Sequence, residues 1–117
     1  MAKINVALFV RTDKKQALEM AHHLSVWLER RKIQVWCDLK SDSLSKVQIL
    51  APTTSLKNMK LAIALGGDGT YLHAVRRVNG LNVPVLGVNL GHLGFLTENT
   101  GEEVFKTLDR FLKGKSK

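Results

Sequence analysis

The chain has 117 residues, enough for one domain, and its 44% hydrophobic and 24% charged content builds one core and excludes disorder as the main state. A single cysteine, Cys37, excludes an internal disulfide and points to a reducing compartment. The net charge of +8 admits nucleic acid as a partner, but the positive residues are scattered and no aromatic side chains are interleaved for stacking. Solvated helix faces explain most of the charge, and a polyphosphate ligand would also benefit from the field.

The first apolar run, Ile4 to Val10, is too short for a membrane span and lacks a signal-peptide cleavage pattern. It reads as the first, doubly buried strand of a cytoplasmic protein. Asp13 offers a helix N-cap, and Ala17, Ala21, Leu24 and Leu28 form a helical stripe that should run to about Arg31. Within it His22 and His23 fall on a solvated face. Ile33 to Cys37 makes a second strand, with Cys37 better read as a small buried residue than as a nucleophile. From Asp38 to Lys60 the pattern is vague, either a long loop or one with a short helix around Leu44 to Leu50.

Leu61 to Leu65 is a compact apolar strand that runs at once into Gly66-Gly67-Asp68-Gly69-Thr70. Tyr71, Ala74, Val75 and Val78 then mark one face of a helix ended by Asn79 and Gly80. Pro84 to Val88 is the next strand, followed by Asn89-Leu90-Gly91-His92-Leu93-Gly94-Phe95-Leu96. Val104, Leu108, Phe111 and Leu112 line a last helix beginning near Gly101. The alternation predicts a three-layer α/β fold, Rossmann-like, with a parallel sheet and helices on both faces. Both glycine-rich segments follow strands, so both should lie at the carboxyl edge where such sheets bind ligands.

Three glycines around an aspartate allow backbone to approach a ligand, and the N–H groups of the following helix suit phosphate. Asp68 in such a place would be a general base or a magnesium contact. The competing reading is a tight turn with Asp68 capping the helix, and spacing alone does not decide. Thr70 could donate to phosphate or cap the helix. Phe95 could pack into the core or cover a base or ribose. His73 and His92 have no metal-ligand spacing with other ligands, and surface placement suits both.

Taken together, Gly66 to Thr70 and Pro84 to Glu98 resemble the NAD kinase family. The first motif is shared with 6-phosphofructokinases and lipid kinases; the second separates NAD kinases from them. The resemblance spans essentially the whole chain and implies a phosphofructokinase-like sheet. It also implies phosphorylation of the adenosine ribose 2′-hydroxyl of NAD to NADP, with Mg2+ and with ATP or polyphosphate as donor. Asp68 then matches the catalytic aspartate. Gly66, Gly67, Gly69 and Thr70 match the phosphate and nucleotide turn, with Asn89 in the second loop. Leu72 and Phe95 match NAD-pocket positions, and His92 stands where a phosphate contact is expected.

Members of that family continue into a β-rich C-terminal domain with an Asn-Glu motif, absent here. Residues 1–113 are thus expected to be the N-terminal nucleotide-binding domain and 114–117 the start of a linker. Alone the chain is expected to be inactive, its partners being the missing domain and, in the full-length enzyme, further copies of itself. The alternatives are a lipid or sugar-phosphate kinase domain and a non-catalytic phosphate-binding module.

Overall fold

The computed structural model describes residues 4–11, 13, 15–38, 47–89, 99–100 and 104–113. In chain order these form β1 (Asn5–Val10), α1 (Lys15–Arg30), β2 (Gln34–Cys37), β3 (Gln48–Ile49), β4 (Leu61–Leu65), α2 (Asp68–Arg77), β5 (Val85–Asn89), β6 (Asn99–Thr100) and α3 (Val104–Leu112). All pairings are parallel, and the six strands lie in the order β3-β2-β1-β4-β5-β6. The expected three-layer α/β architecture is therefore present.

β1 and β4 are central, and five residues of each are buried because helices cover both faces. Alternation along them sorts the core into two layers. Val6, Leu8 and Val10 with Leu61, Ile63 and Leu65 meet α1 and α3, while Ala7, Phe9, Ala62 and Ala64 meet Ala74 and Val78 of α2. α1 delivers Ala17, Ala21, Leu24 and Leu28 at the predicted spacing, each fully buried. Burying each leucine contributes about 1.5–3 kcal/mol. Ser25 shares that face, and its hydroxyl donates to the Ala21 and His22 carbonyls at 2.8 and 3.0 Å, so no polar group is stranded.

α1 stops in a left-handed cap. Lys32 has φ 62, the Ile33 N–H donates to the Leu28 carbonyl and the Lys32 N–H to that of Glu29. α2 ends where Asn79 and Gly80 predicted, with Gly80 at φ 84. Cys37 is buried in β2, as expected.

Three expectations need correction. Asp13 lies in a turn and α1 starts at Lys15. Residues 48–49 of the segment read as a possible helix are instead an edge strand, pairing with Trp36 and Cys37; residues 39–46 lie outside the described set. Val75 is 37% exposed, because Ala74 and Val78 already occupy the inward face and the next position turns away by a helical step.

Arg77 of α2 is partly buried. Its guanidinium donates to the carbonyls of Ala51 and Thr54, both at 3.1 Å, and lies over the Phe9 ring. It thereby ties α2 to a turn that Thr54 closes on Ala51 through its own N–H and hydroxyl.

Candidate functional site

Because all six strands run the same way, their carboxyl ends share one edge. In an open sheet of this strand order, ligands bind where the connections diverge. From β1 the chain leaves through α1 on one face towards β2; from β4 it leaves through α2 on the other face towards β5. The divergence lies between β1 and β4. Arg11 ends the first strand there and Gly66 to Thr70 ends the second, joined by the Arg11 N–H donating to the Leu65 carbonyl at 2.9 Å.

The three glycines of the turn are there for different reasons. A Cβ on Gly66 would stand 2.5 Å from Thr70 Oγ1 and 2.7 Å from Arg11 Cβ, so the fold itself demands glycine. At Gly67 and Gly69 a Cβ would meet nothing within 4 Å among the described residues, and neither has a left-handed φ. Nothing in the packing of the described residues calls for glycine at those two positions. Their bare backbone leaves room for something from outside.

Asp68 is the first residue inside α2, and Gly67 occupies the cap position with no side-chain hydrogen bond to the helix. The reading in which Asp68 caps the helix is therefore not the one the chain adopts. A glycine cap offers nothing to the first N–H groups of α2, which makes the helix end suited to anions. Asp68 and Thr70 are half-buried and Gly69 exposed, while Leu72, one turn further on, leaves 43% of its surface open.

Beside this turn sits a second polar group. Asp38 follows β2, and although the residue as a whole is exposed, its Oδ1 accepts the Val10 N–H at 3.0 Å. Burial of this carboxyl pushes its pKa up, against the opposing pull of the Val10 and Asp38 N–H groups and the charges of His73 and Arg77. His73 is exposed, as expected, but its ring meets Phe9 edge-on at 5.5 Å.

An open groove of about 530 Å³ lined by His22, His23, Val26, Trp27, Arg30 and Phe105 lies between α1 and α3. His22 and His23 are both exposed, as their helical position predicts.

The structure thus brings Gly66, Gly67, Asp68, Gly69, Thr70 and Leu72 together on one turn and helix. Asn89 ends β5 on the same edge, as part of a strand pairing with Thr100. His92 and Phe95 lie outside the described residues. Sequence reasoning missed Arg11 and Asp38. Each is the first charged residue after a buried parallel strand, and that position alone places a side chain at the ligand edge.

Residues 6–116 match the model of the ATP-NAD kinase N-terminal domain. The chain belongs to the NAD kinase family. It is 34% identical to the NAD kinase of Bdellovibrio bacteriovorus over 95% of its own length and 37% of the relative's. With the NAD kinase of Heliobacterium modesticaldum it shares 36% identity, covering 93% of this chain and 39% of that one. Its fold matches the crystal structure of yeast NADH kinase complexed with NADH, with a TM-score of 0.80 at 23% identity over 97% of this chain and 37% of that one. The chain therefore spans about two-fifths of the length of these NAD kinases.

Proposed function

We propose that this chain forms the nucleotide-binding part of an enzyme that phosphorylates the adenosine ribose 2′-hydroxyl of NAD to give NADP. The observation that carries the reading is Asp68, set at the uncapped start of α2 on a glycine turn at the divergence of β1 and β4. Asp68 takes the proton from the 2′-hydroxyl as that oxygen bonds to the γ-phosphorus of ATP. The bond from that phosphorus to the bridging oxygen breaks and ADP leaves. The N–H groups at the start of α2 hold the charge that builds on the phosphate oxygens. Leu72, with Asn89, His92 and Phe95 from the end of β5 onward, would receive NAD.

Among the described residues no three His, Cys, Asp or Glu side chains converge as a metal cage. One carboxylate beside a phosphate turn instead suits Mg2+ arriving with the nucleotide, where the ion neutralises phosphate charge. Asp68 is the residue that would meet it. The buried thiol of Cys37 agrees with a reducing, cytoplasmic setting. Among the described residues, no helix is long and apolar enough to cross a membrane.

The rest of the relatives' length would supply the second domain and the contacts between copies. Joined to the remainder of the Bdellovibrio enzyme, the chain should make NADP from NAD and ATP, and Asp68→Asn should lower kcat by about 10²–10⁴-fold. Undiminished turnover in Asp68→Asn would exclude the assigned role. A hybrid that phosphorylated a lipid or a sugar phosphate and left NAD untouched would overturn the reaction.

A further inference from the structure

We propose that Arg11 is a contact for the phosphate chain of the donor, and that Asp13 holds it parked until that chain arrives. The inference rests on reading Gly66 to Thr70 as the phosphate turn and adds a residue from a different strand.

Arg11 is built into the floor of the crevice. Its N–H bonds the last residue of β4, and its Cβ lies against the bare backbone of Gly66. Its guanidinium turns outward, where Nε meets Asp13 Oδ1 at 2.6 Å and one terminal nitrogen meets Oδ2 at 3.2 Å. That two-point grip on a carboxylate is the same geometry a guanidinium uses on phosphate. Both side chains are largely open to solvent, at 48% and 64% exposure, so their pairing is weak and easily exchanged. Arg77 differs, being committed to two backbone carbonyls.

The carboxyl edge carries Asp13, Asp38 and Asp68, and an approaching polyphosphate meets three carboxylates. Arg11 is the arginine at the divergence point itself, and release from Asp13 would place its charge over the turn. Which phosphates it holds follows from strand order. β4 lies between β1 and β5. Asn89, proposed for NAD, ends β5, leaving the β1 side of the turn to the group on the other side of the transferred phosphorus. An in-line displacement puts acceptor and leaving group on opposite sides, so Arg11 faces the donor.

The test is calorimetric titration of this chain with inorganic tripolyphosphate, MgATP and NAD. Arg11→Ala should weaken tripolyphosphate and MgATP by about tenfold or more, and Arg11→Lys should recover part of the loss, as a point charge without the fork. NAD affinity should not change. Asp13→Asn, which removes the charge and keeps the size of the side chain, should tighten both phosphate ligands about two- to fivefold.

Wild-type affinity for tripolyphosphate in a folded Arg11→Ala chain would overturn the proposal while leaving the phosphate turn standing. Asp13→Asn weakening binding as much as Arg11→Ala would overturn the parking role. A selective loss of NAD binding in Arg11→Ala would move the residue to the acceptor side and overturn the assignment to the donor. A wild-type chain that bound neither tripolyphosphate nor MgATP would overturn the turn and this inference together.

Discussion

On the face that meets α1 and α3, the central strands present Val6, Leu8, Val10, Leu61, Ile63 and Leu65; on the face that meets α2 they present Ala7, Phe9, Ala62 and Ala64. Branched aliphatics fill a wide gap and contribute burial. Alanines opposite Ala74 let the backbone of a helix come near the sheet, and any added volume must push it away. The first face is built for stability. On the second, side-chain size sets where α2 begins, and its beginning is the candidate site.

The contrast can be broken by one substitution on each face. Leu24→Ala should cost about 3–5 kcal/mol in chemical denaturation, with phosphate affinity of the folded fraction unchanged. Ala64→Val should cost about 1–3 kcal/mol and also weaken phosphate binding, because α2 is displaced. If Leu24→Ala weakened binding and Ala64→Val did not, the division of labour between faces would be wrong.

A finer separation comes from Gly69. Alanine has room there and suits a helix better, so Gly69→Ala should raise stability by up to about 1 kcal/mol while lowering phosphate affinity. A gain in both would mean that this glycine answers to no ligand.

The smallest effect concerns pH. With the folded pKa of Asp38 above its unfolded value, the folded state holds its proton longer. Stability is then fully present below the unfolded value and is lost as pH rises through the folded one. Asp38→Asn keeps an oxygen for the Val10 N–H and should flatten this decline in melting temperature from acid towards neutral pH. An unchanged slope would count against the burial of that carboxyl.

What could be read in advance follows from how local the cause is. β1 and β4 are apolar runs whose burial needs no partner to be foreseen, and the helical stripe of α1 is equally self-contained. Gly67, Asp68 and Gly69 were recognisable because their pattern sits directly after β4. β3 was not, since Gln48 and Ile49 are a strand only by virtue of pairing with Trp36 and Cys37. The anchoring of Arg77 was hidden in the same way, as its acceptors Ala51 and Thr54 lie in a stretch without periodicity. The separate demand at Gly66 depends on Arg11, which only the pairing of β1 with β4 brings near.

That pairing has a kinetic side. Val6 is in register with Leu61 and Val10 with Leu65, so the central ladder closes over everything between them. Contacts so distant along the chain form only after a large loop has been drawn in, and they slow folding accordingly. During synthesis one edge of β1 stays unpaired until β4 has been made. The crevice between these strands cannot exist before the ladder does, so a chain that has not completed its longest-range pairing has no place for a ligand. Any ligand that binds the crevice favours the completed fold.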